Sequence, residues 1–431
     1  MHTRRHFLRT SLSGLAATCT LPAFIHQTIL NLDLHAADSA IQTVTGKDGT
    51  ILVIVQMGGG NDGLNTVVPF ADDAYFRARP QIGLKAADVL RLDDRLGLNP
   101  QLKPFKDLYD AGHLSVINGV GYPNPNRSHF RSMEIWQTGS DSDKSEGTGW
   151  LGRYFDHACA GSDPTVGVNV GAMNPAAFYA PGMKGISLAN PSQYRAERSA
   201  GSDPAKMGGA EDMGEDTSNA GASIGELGGS SPMSAQGSAL DYLQRTALDA
   251  QLSSEQIGQI VKKFQPLVSY PKSKLGSGLQ LVGQLIAGGM KTRVFYVNQG
   301  GYDTHANQKP THDKLMADLS TSLSAFCNDL KKQGNFNRVM VLTFSEFGRR
   351  LKENSSGGTD HGAPGPMFVL GGAVKPGLFG GYPSLTDLHD GDLKFSTDFR
   401  SVYATVLKNW LKTDPSAVLK RDFPLLPFIP T

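Results

Sequence analysis

The sequence predicts an α/β fold in which a mostly parallel central sheet carries helices on both faces. Three observations lead there. Residues 50–56 (Thr-Ile-Leu-Val-Ile-Val-Gln) are a near-continuous β-branched run that leads, after Met57, into Gly58-Gly59-Gly60; a strand buried on both faces reads this way. Further runs of this kind alternate with helical patterns, the arrangement that builds a parallel sheet. Residues 312–332 place Leu315, Met316, Leu319, Leu323, Phe326 and Leu330 on one stripe of an amphipathic helix.

The remaining elements follow in chain order. A helix is expected around residues 102–111 and a second strand over 113–119, centred on Leu-Ser-Val-Ile-Asn. Helical pattern occupies about 239–264 and 276–288. Strands over 292–298 and 338–344 flank the amphipathic helix. Residues 367–370 form a short strand, and a helix over about 399–411 closes the domain. Residues 199–238 are different, because Ser, Gly, Ala, Asp, Glu and Met dominate there with almost no aliphatic content. Such a stretch cannot offset its ordering entropy and reads as a flexible insert.

The first residues read as an address. Arg4-Arg5 precedes Phe7-Leu8, and a moderately apolar run from Ser11 to about Ile25 comes behind it. This pattern resembles a twin-arginine export signal, which implies transit through the twin-arginine machinery to the periplasm or beyond. No later run approaches the ~18 apolar residues of a membrane span. The expected organisation is a leader over 1–40 and one α/β domain over 45–431 carrying the 199–238 insert.

Composition narrows the function classes. Lys and Arg number 41 against 40 Asp and Glu, a formal net charge of +1, which argues against a nucleic-acid binder. The three cysteines, Cys19, Cys159 and Cys327, have no CxxC or zinc-finger spacing and cannot form a disulfide framework. The 50 glycines and 24 prolines exceed the usual share, about 12% together, and point to long loops at strand ends.

Ligands of open parallel sheets bind outside the carboxyl ends of the strands, and four polar clusters fall there. Asp62 follows Gly58-Gly59-Gly60-Asn61; it is a carboxylate where glycines allow close approach, and it can equally close an Asx-turn or cap a helix. Ser128, within Asn-Arg-Ser-His-Phe (126–130), is either a helix N-cap or a nucleophile at a helix N-terminus. Asp303 and His305 lie on a loop after a strand, and oxygen and imidazole donors suit Zn²⁺, Mn²⁺ or Fe. Asp360-His361 is flanked by glycines that permit the sharp turn one ion would require. Two such pairs with Asp62 upstream make a metal site the favoured reading.

These residues carry a resemblance. Asp62 after the first strand, a Ser soon after a second, an Asp after a later one and Thr359-Asp360-His361-Gly362 resemble the alkaline phosphatase-like superfamily. More closely, Gly-Gly-Asn-Asp-Gly-Leu-Asn-Thr (59–66), Asn-Arg-Ser-His-Phe, Gly-Trp-Leu-Gly-Arg (149–153), Gly-Tyr-Asp-Thr-His (301–305), Ser-Glu-Phe-Gly-Arg-Arg (345–350), Gly-Thr-Asp-His-Gly (358–362) and Asp-Phe-Arg-Ser-Val-Tyr (398–403) resemble the DUF1501 family. Its members commonly carry a twin-arginine leader.

The resemblance implies an alkaline phosphatase-like fold and a hydrolase of phosphate or sulfate esters, acting on a small-molecule or glycan ester. It makes Asp62, Asp360 and His361 ligands of one divalent metal (Zn, Mn, Mg or Ca) and Asp303 a ligand of a second, with His305 beside it. Ser128 becomes the nucleophile, and Arg127 or Arg349 holds the anion. The sequence departs from the superfamily pattern in places. The fourth residue after Asp303 is Asn307 rather than His, only His389 stands where a last metal-binding His is expected, and no Cys/Ser-x-Pro-x-Arg motif is present. One complete metal site is therefore expected rather than two, and no formylglycine sulfatase. Two other readings stand beside this one: an exported binding or assembly protein with a structural metal, and a metal-free esterase using Ser128 with His305 or His361, which lacks a Gly-x-Ser-x-Gly elbow.

Overall fold

In the computed structural model, which describes residues 49–182, 185–188 and 257–430, the first apolar run is strand β1 (Ile51–Met57). The expected leader and the 199–238 insert lie outside the described residues. After β1 come a short helix α1 (Gly63–Thr66), strand β2 (Val67–Val68), helix α2 (Asp73–Ala78), and strands β3 (Leu90–Arg91) and β4 (Gly97–Leu98). Strands β2, β4 and β3 form a small antiparallel sheet. Helix α3 (Lys103–Asp110) leads into β5 (Leu114–Gly121), which is buried along its whole length. Next are helices α4 (His129–Thr138) and α5 (Trp150–Ala158) and strands β6 (Gly167–Val170) and β7 (Ile186–Ser187). Helix α6 (Lys274–Ala287) precedes β8 (Val294–Gln299), and helix α7 (Gln308–Gln333) precedes β9 (Val339–Phe344). Strands β10 (Gly365–Gly371), β11 (Gly377–Phe379), β12 (Leu388–His389), β13 (Asp392–Leu393) and β14 (Thr397–Asp398) are followed by helix α8 (Phe399–Thr405), a π-helical turn at Val406–Trp410, and helix α9 (Pro415–Leu419).

Nine of these strands form one sheet in the order β11-β5-β10-β9-β1-β8-β6-β7, with β14 also paired to β5. The β1 pairings to β8 and β9 are parallel, as are those of β6 to β7 and β8 and of β5 to β11 and β14. Only β10 runs against its neighbours β5 and β9. This is the mostly parallel sheet the sequence predicts.

Alternate residues of the same strands enter two separate cores. Leu52 and Ile54 of β1, Met340, Leu342 and Phe344 of β9 and Tyr296 of β8 pack with Trp136, Trp150, Phe155, Tyr403 and Trp410 on one face. Ile51, Val53 and Val55, Val339 and Val341, and Phe295 and Val297 pack on the other face with Phe105 of α3, Leu279 and Leu285 of α6 and Met316, Leu323 and Phe326 of α7. Period-two projection of fully apolar strands into two cores is what makes helices necessary on both faces. Trp136, Trp150 and Tyr154 are thus core residues.

Register then gathers the loops. Gln56 pairs with Phe344, and Met57 pairs with Gln299, so β1, β8 and β9 end level with one another. Strand β5, antiparallel to β10 as β9 is, runs in the β9 direction and ends at the same edge. Strand β10 begins there. The segments 58–62, 122–129, 300–305, 345–350 and 358–364 therefore meet at one edge of the sheet, and every polar cluster noted above lies on one of them.

Candidate metal and catalytic site

Backbone geometry sets the floor of the site. Gly59 has φ +120°, and a Cβ there would stand 2.5 Å from the backbone nitrogen of Asp303. Gly60 has φ +80°, and its Cβ would fall 2.3 Å from the Phe347 ring. Only glycine combines these conformations with these approaches. Over this floor the Arg349 guanidinium is fully buried and acts as a bracket. Its Nε donates to Gly60 O (2.8 Å), its Nη1 to Thr359 O (2.8 Å), and its Nη2 to Tyr302 O (3.0 Å), Gly59 O and Asp303 Oδ1 (2.7 Å). Arg349, expected to hold a substrate anion, is instead turned into the carbonyls of three loops and the Asp303 carboxylate.

Asp303 is the centre of an imidazole cluster. His361 Nε2 and His305 Nε2 each lie 3.1 Å from Asp303 Oδ1 and 2.9 Å from each other. His129 Nε2 lies 3.4 Å from the other oxygen, Oδ2. Among the described residues, His129, Asp303 and His361 are the three whose ligand atoms come within 4.8 Å of one another. Burial raises the Asp303 carboxyl, but the Arg349 hydrogen bond, then that of His361 and the charges of Arg349 and His129, bring it down to about 2.

The far side of each ring is committed. His129 Nδ1 lies 2.9 Å from Glu346 Oε1, and His361 Nδ1 lies 2.8 Å from Arg127 O. His305 Nδ1 is 3.4 Å from Asp360 Oδ1. An oxygen acceptor thus stands at Nδ1 of each ring. His129 Nε2 is buried without a hydrogen-bond partner, 3.4 Å from Asp303 Oδ2. Phe347 covers the group, its ring centroid 4.9 Å from that of His129 and 4.6 Å from that of His361. Glu346 is buried and also accepts from Gly59 N (2.8 Å).

Other expected residues fall elsewhere. Asp62 turns inward, fully buried, in an ion pair with Arg79 (Nη1–Oδ2 2.6 Å). It also accepts from Gln308 Nε2 and, as N-cap of α1, from Asn65 N (3.4 Å). Burial raises its carboxyl, yet Arg79, with His312 and Gln308, more than reverses this and holds it below the ordinary value. Asp360 is largely exposed and takes hydrogen bonds from Asn354 (3.2 Å) as well as facing His305. The Asn354 hydrogen bond is the main reason its carboxyl lies below the ordinary value, with His305 and Arg350 adding to it against burial. His389 is exposed beside Asp390, remote from this chemistry in its contacts.

Ser128 is the N-cap of α4 by position but makes no side-chain cap bond, and it is exposed. Its neighbours hold the site: Arg127 O receives His361, and His129 enters the cluster. Arg127 Nη2 pairs with Asp392 (2.9 Å), and its Nε is buried without a partner.

Sequence reasoning had singled out Asp303, His305, Asp360 and His361, which the structure brings together. His129 and Glu346 are not among those expected residues. Both lie in motifs already quoted for the family, Asn-Arg-Ser-His-Phe and Ser-Glu-Phe-Gly-Arg-Arg. Arg79, the partner of Asp62, carried no motif signal.

Residues 228–421 match the model of a family described as "Protein of unknown function (DUF1501)". The match bears out the DUF1501 resemblance carried by the motifs. No curated protein matches the sequence. Solved structures similar to this chain include the C-terminal periplasmic domain of EcEptC from Escherichia coli in complex with Zn (7% identity, 76% of this chain and 74% of that chain, TM-score 0.36). They also include the lipoteichoic acid synthase LtaP from Listeria monocytogenes (10% identity, 79% and 73%, TM-score 0.33). A third is the PsFucS1 sulfatase from Pseudoalteromonas sp. (12% identity, 82% and 69%, TM-score 0.32). Among the described residues, no helix is long and apolar enough to cross a membrane.

Proposed function

We propose that this protein is an exported, metal-dependent hydrolase of phosphate or sulfate esters, with Ser128 as nucleophile. The observation that carries the reading is the convergence of His129 Nε2 and His361 Nε2 on Asp303, with Ser128, whose side chain makes no cap bond, next to His129 in the chain. The donor set fits a divalent ion, because two imidazole nitrogens and a carboxylate lie within 4.8 Å of one another and one of those nitrogens, His129 Nε2, is buried without a hydrogen-bond partner. When bound, such an ion supplies the positive charge that polarises an ester oxygen.

The chain's own residues do the rest. Ser128 Oγ stands at the N-terminus of α4, whose dipole favours negative charge on an attacking oxygen. In the first step Oγ bonds to phosphorus or sulfur as the bond to the leaving alcohol breaks, and the hydroxyl proton passes to that alcohol through solvent. Water then cleaves the seryl ester and restores the hydroxyl. With Arg349 committed to carbonyls, the anion contact falls to Arg127, whose side chain is partly exposed. Export through the twin-arginine machinery belongs to this reading and rests on Arg4-Arg5 and the apolar run behind them.

One observation favours a second reading, an exported metal-binding protein without catalysis. The first-strand carboxylate that the resemblance makes a ligand, Asp62, is neutralised by Arg79. Metal analysis of the purified mature protein, followed by hydrolysis of aryl phosphate, phosphodiester and sulfate esters by wild type and Ser128→Ala, separates the two. Metal-dependent turnover lost in Ser128→Ala supports the hydrolase; bound metal with no turnover of any ester supports the second reading.

A further inference from the structure

Two of the sequence motifs take no part in the imidazole cluster. Gly-Trp-Leu-Gly-Arg ends in Arg153 of α5, and Asp-Phe-Arg-Ser-Val-Tyr places Arg400 in the first turn of α8. Both arginines line one open cleft of about 110 Å³, with Lys144, Lys420 and Arg421 and the carboxylates Asp141 and Glu146. The cleft lies at the C-terminal end of α4, at Thr138 and Gly139, whereas His129 begins that helix. Nine residues of helix, about 14 Å, separate the two places.

The charges of the cleft do not balance. Arg400 is paired with Asp398 (2.7 Å) and with Asp141. Asp141 also serves Lys144 (3.1 Å) and Arg421 (3.4 Å), and Glu146 pairs with Lys420. Arg153 makes no ion pair among the described residues; it donates to Val418 O (2.5 Å), Thr148 O (2.6 Å) and Thr138 O (2.6 Å). Those carbonyls satisfy its N–H groups, but neutral acceptors bring no countercharge. Burial pushes the Arg153 guanidinium below its ordinary value, with the charge of Glu146 acting against it. Five cations therefore face three carboxylates. Arg400 and Arg421 stack on Phe423, 4.8 Å and 4.7 Å from its ring centroid, which holds both guanidinium groups at the cleft.

We infer that this cleft is a second site, one that takes a doubly charged tetrahedral oxyanion, phosphate or sulfate, either free or as the end group of a monoester. One dianion cancels the surplus of positive charge. Lys420 and Arg421, about half exposed at the mouth, donate to its oxygens. Arg153 and Arg400, held by protein acceptors, supply fixed charge beneath it. The volume is well above the ~10–15 Å³ that a single water needs. The site requires neither a metal nor Ser128, so it stands or falls separately from the proposed hydrolysis.

The test uses the full mature chain treated with chelator, so that an anion held by a metal does not contribute. Calorimetric titrations with inorganic phosphate, sulfate and methyl phosphate are run at constant ionic strength set with sodium chloride. Wild type, Lys420→Gln, Arg421→Gln and Arg153→Gln are compared, with circular dichroism as a check of folding. Crystals soaked in selenate show by anomalous scattering where the anion sits, whether or not Arg153→Gln folds. The expected results are one anion per chain and selenate within hydrogen-bond reach of Lys420 and Arg421. Lys420→Gln, Arg421→Gln and folded Arg153→Gln each weaken binding by roughly tenfold. Methyl phosphate bound as well as phosphate identifies an ester end group as the ligand, and binding of the inorganic ions alone identifies the free ion; either sustains the site. No binding at millimolar anion, unchanged affinity in folded Lys420→Gln and Arg421→Gln, or selenate found elsewhere overturns the inference.

Discussion

Asp62 and Arg79 form an ion pair of 2.6 Å in which neither side chain has any solvent exposure. Around it, Arg79 Nη1 also donates to Asn65 Oδ1 (2.8 Å), Nε to Leu351 O (2.8 Å) and Nη2 to Arg350 O (2.8 Å). The pair thereby ties α1 to the segment after β9. Arg79→Met leaves a buried carboxylate uncompensated and is expected to cost about 3–5 kcal/mol. The Asp62→Leu/Arg79→Met double variant recovers most of that loss. Urea unfolding of the three variants measures both effects.

Asp303 gives the stability a pH dependence of defined sign. Its carboxyl falls from the ordinary value of 3.8 to about 2 in the folded protein. A depressed folded value means that the stabilisation is fully present above about pH 4 and is lost as pH falls towards 2. In chelator-containing buffer, the stability margin of wild type over Asp303→Asn is expected to shrink across that window and to stay constant from pH 5 to 7. Denaturation curves taken at each pH provide the check.

Ser128 separates activity from stability. Because its hydroxyl makes no cap bond, Ser128→Ala is expected to change unfolding free energy by less than about 0.5 kcal/mol. Under the proposed mechanism the same change lowers kcat by roughly a thousandfold or more. Thermal melts and ester hydrolysis, measured on one preparation, give the two values.

Gly59 is expected to be intolerant of a side chain. Gly59→Ala combines a strained φ with a Cβ 2.5 Å from Asp303 N, and a loss of at least about 1–3 kcal/mol follows. The clash moves the Asp303 loop, so Zn²⁺ affinity is expected to fall as well. Gly161→Ala, also at positive φ but with nothing within 4 Å, is the control: it carries the conformational cost and keeps the affinity.

Much of the fold was legible because it is a matter of local pattern. The runs at residues 50–56 and 338–344 are apolar on both alternations, and only a strand covered on two faces satisfies that. The stripe on α7 declared its buried side in the same way, although the helix begins earlier, at Gln308. Asp303, His305, Asp360 and His361 were visible because they sit on glycine-flanked loops after strands. His129 was not, since its neighbour Ser128 drew the chemical reading and nothing local shows which way a ring at the start of a helix points. Asp62 was legible as a carboxylate at a strand end but not as the partner of Arg79, which lies 17 residues on.

The order of apolar and polar residues along the chain was enough to specify a mostly parallel sheet with its reactive loops at one edge. Period and burial are properties of neighbouring residues, so they can be read without a partner in view. Which carboxylate meets imidazole and which meets guanidinium depends on the register of β1 against β8 and β9 and on five loops folding over one another. Those contacts join residues from 17 to 217 positions apart, and their energies follow from distance and burial in the assembled fold. For that reason Asp303 became the centre of the histidine cluster and Asp62 became a buried brace paired with Arg79.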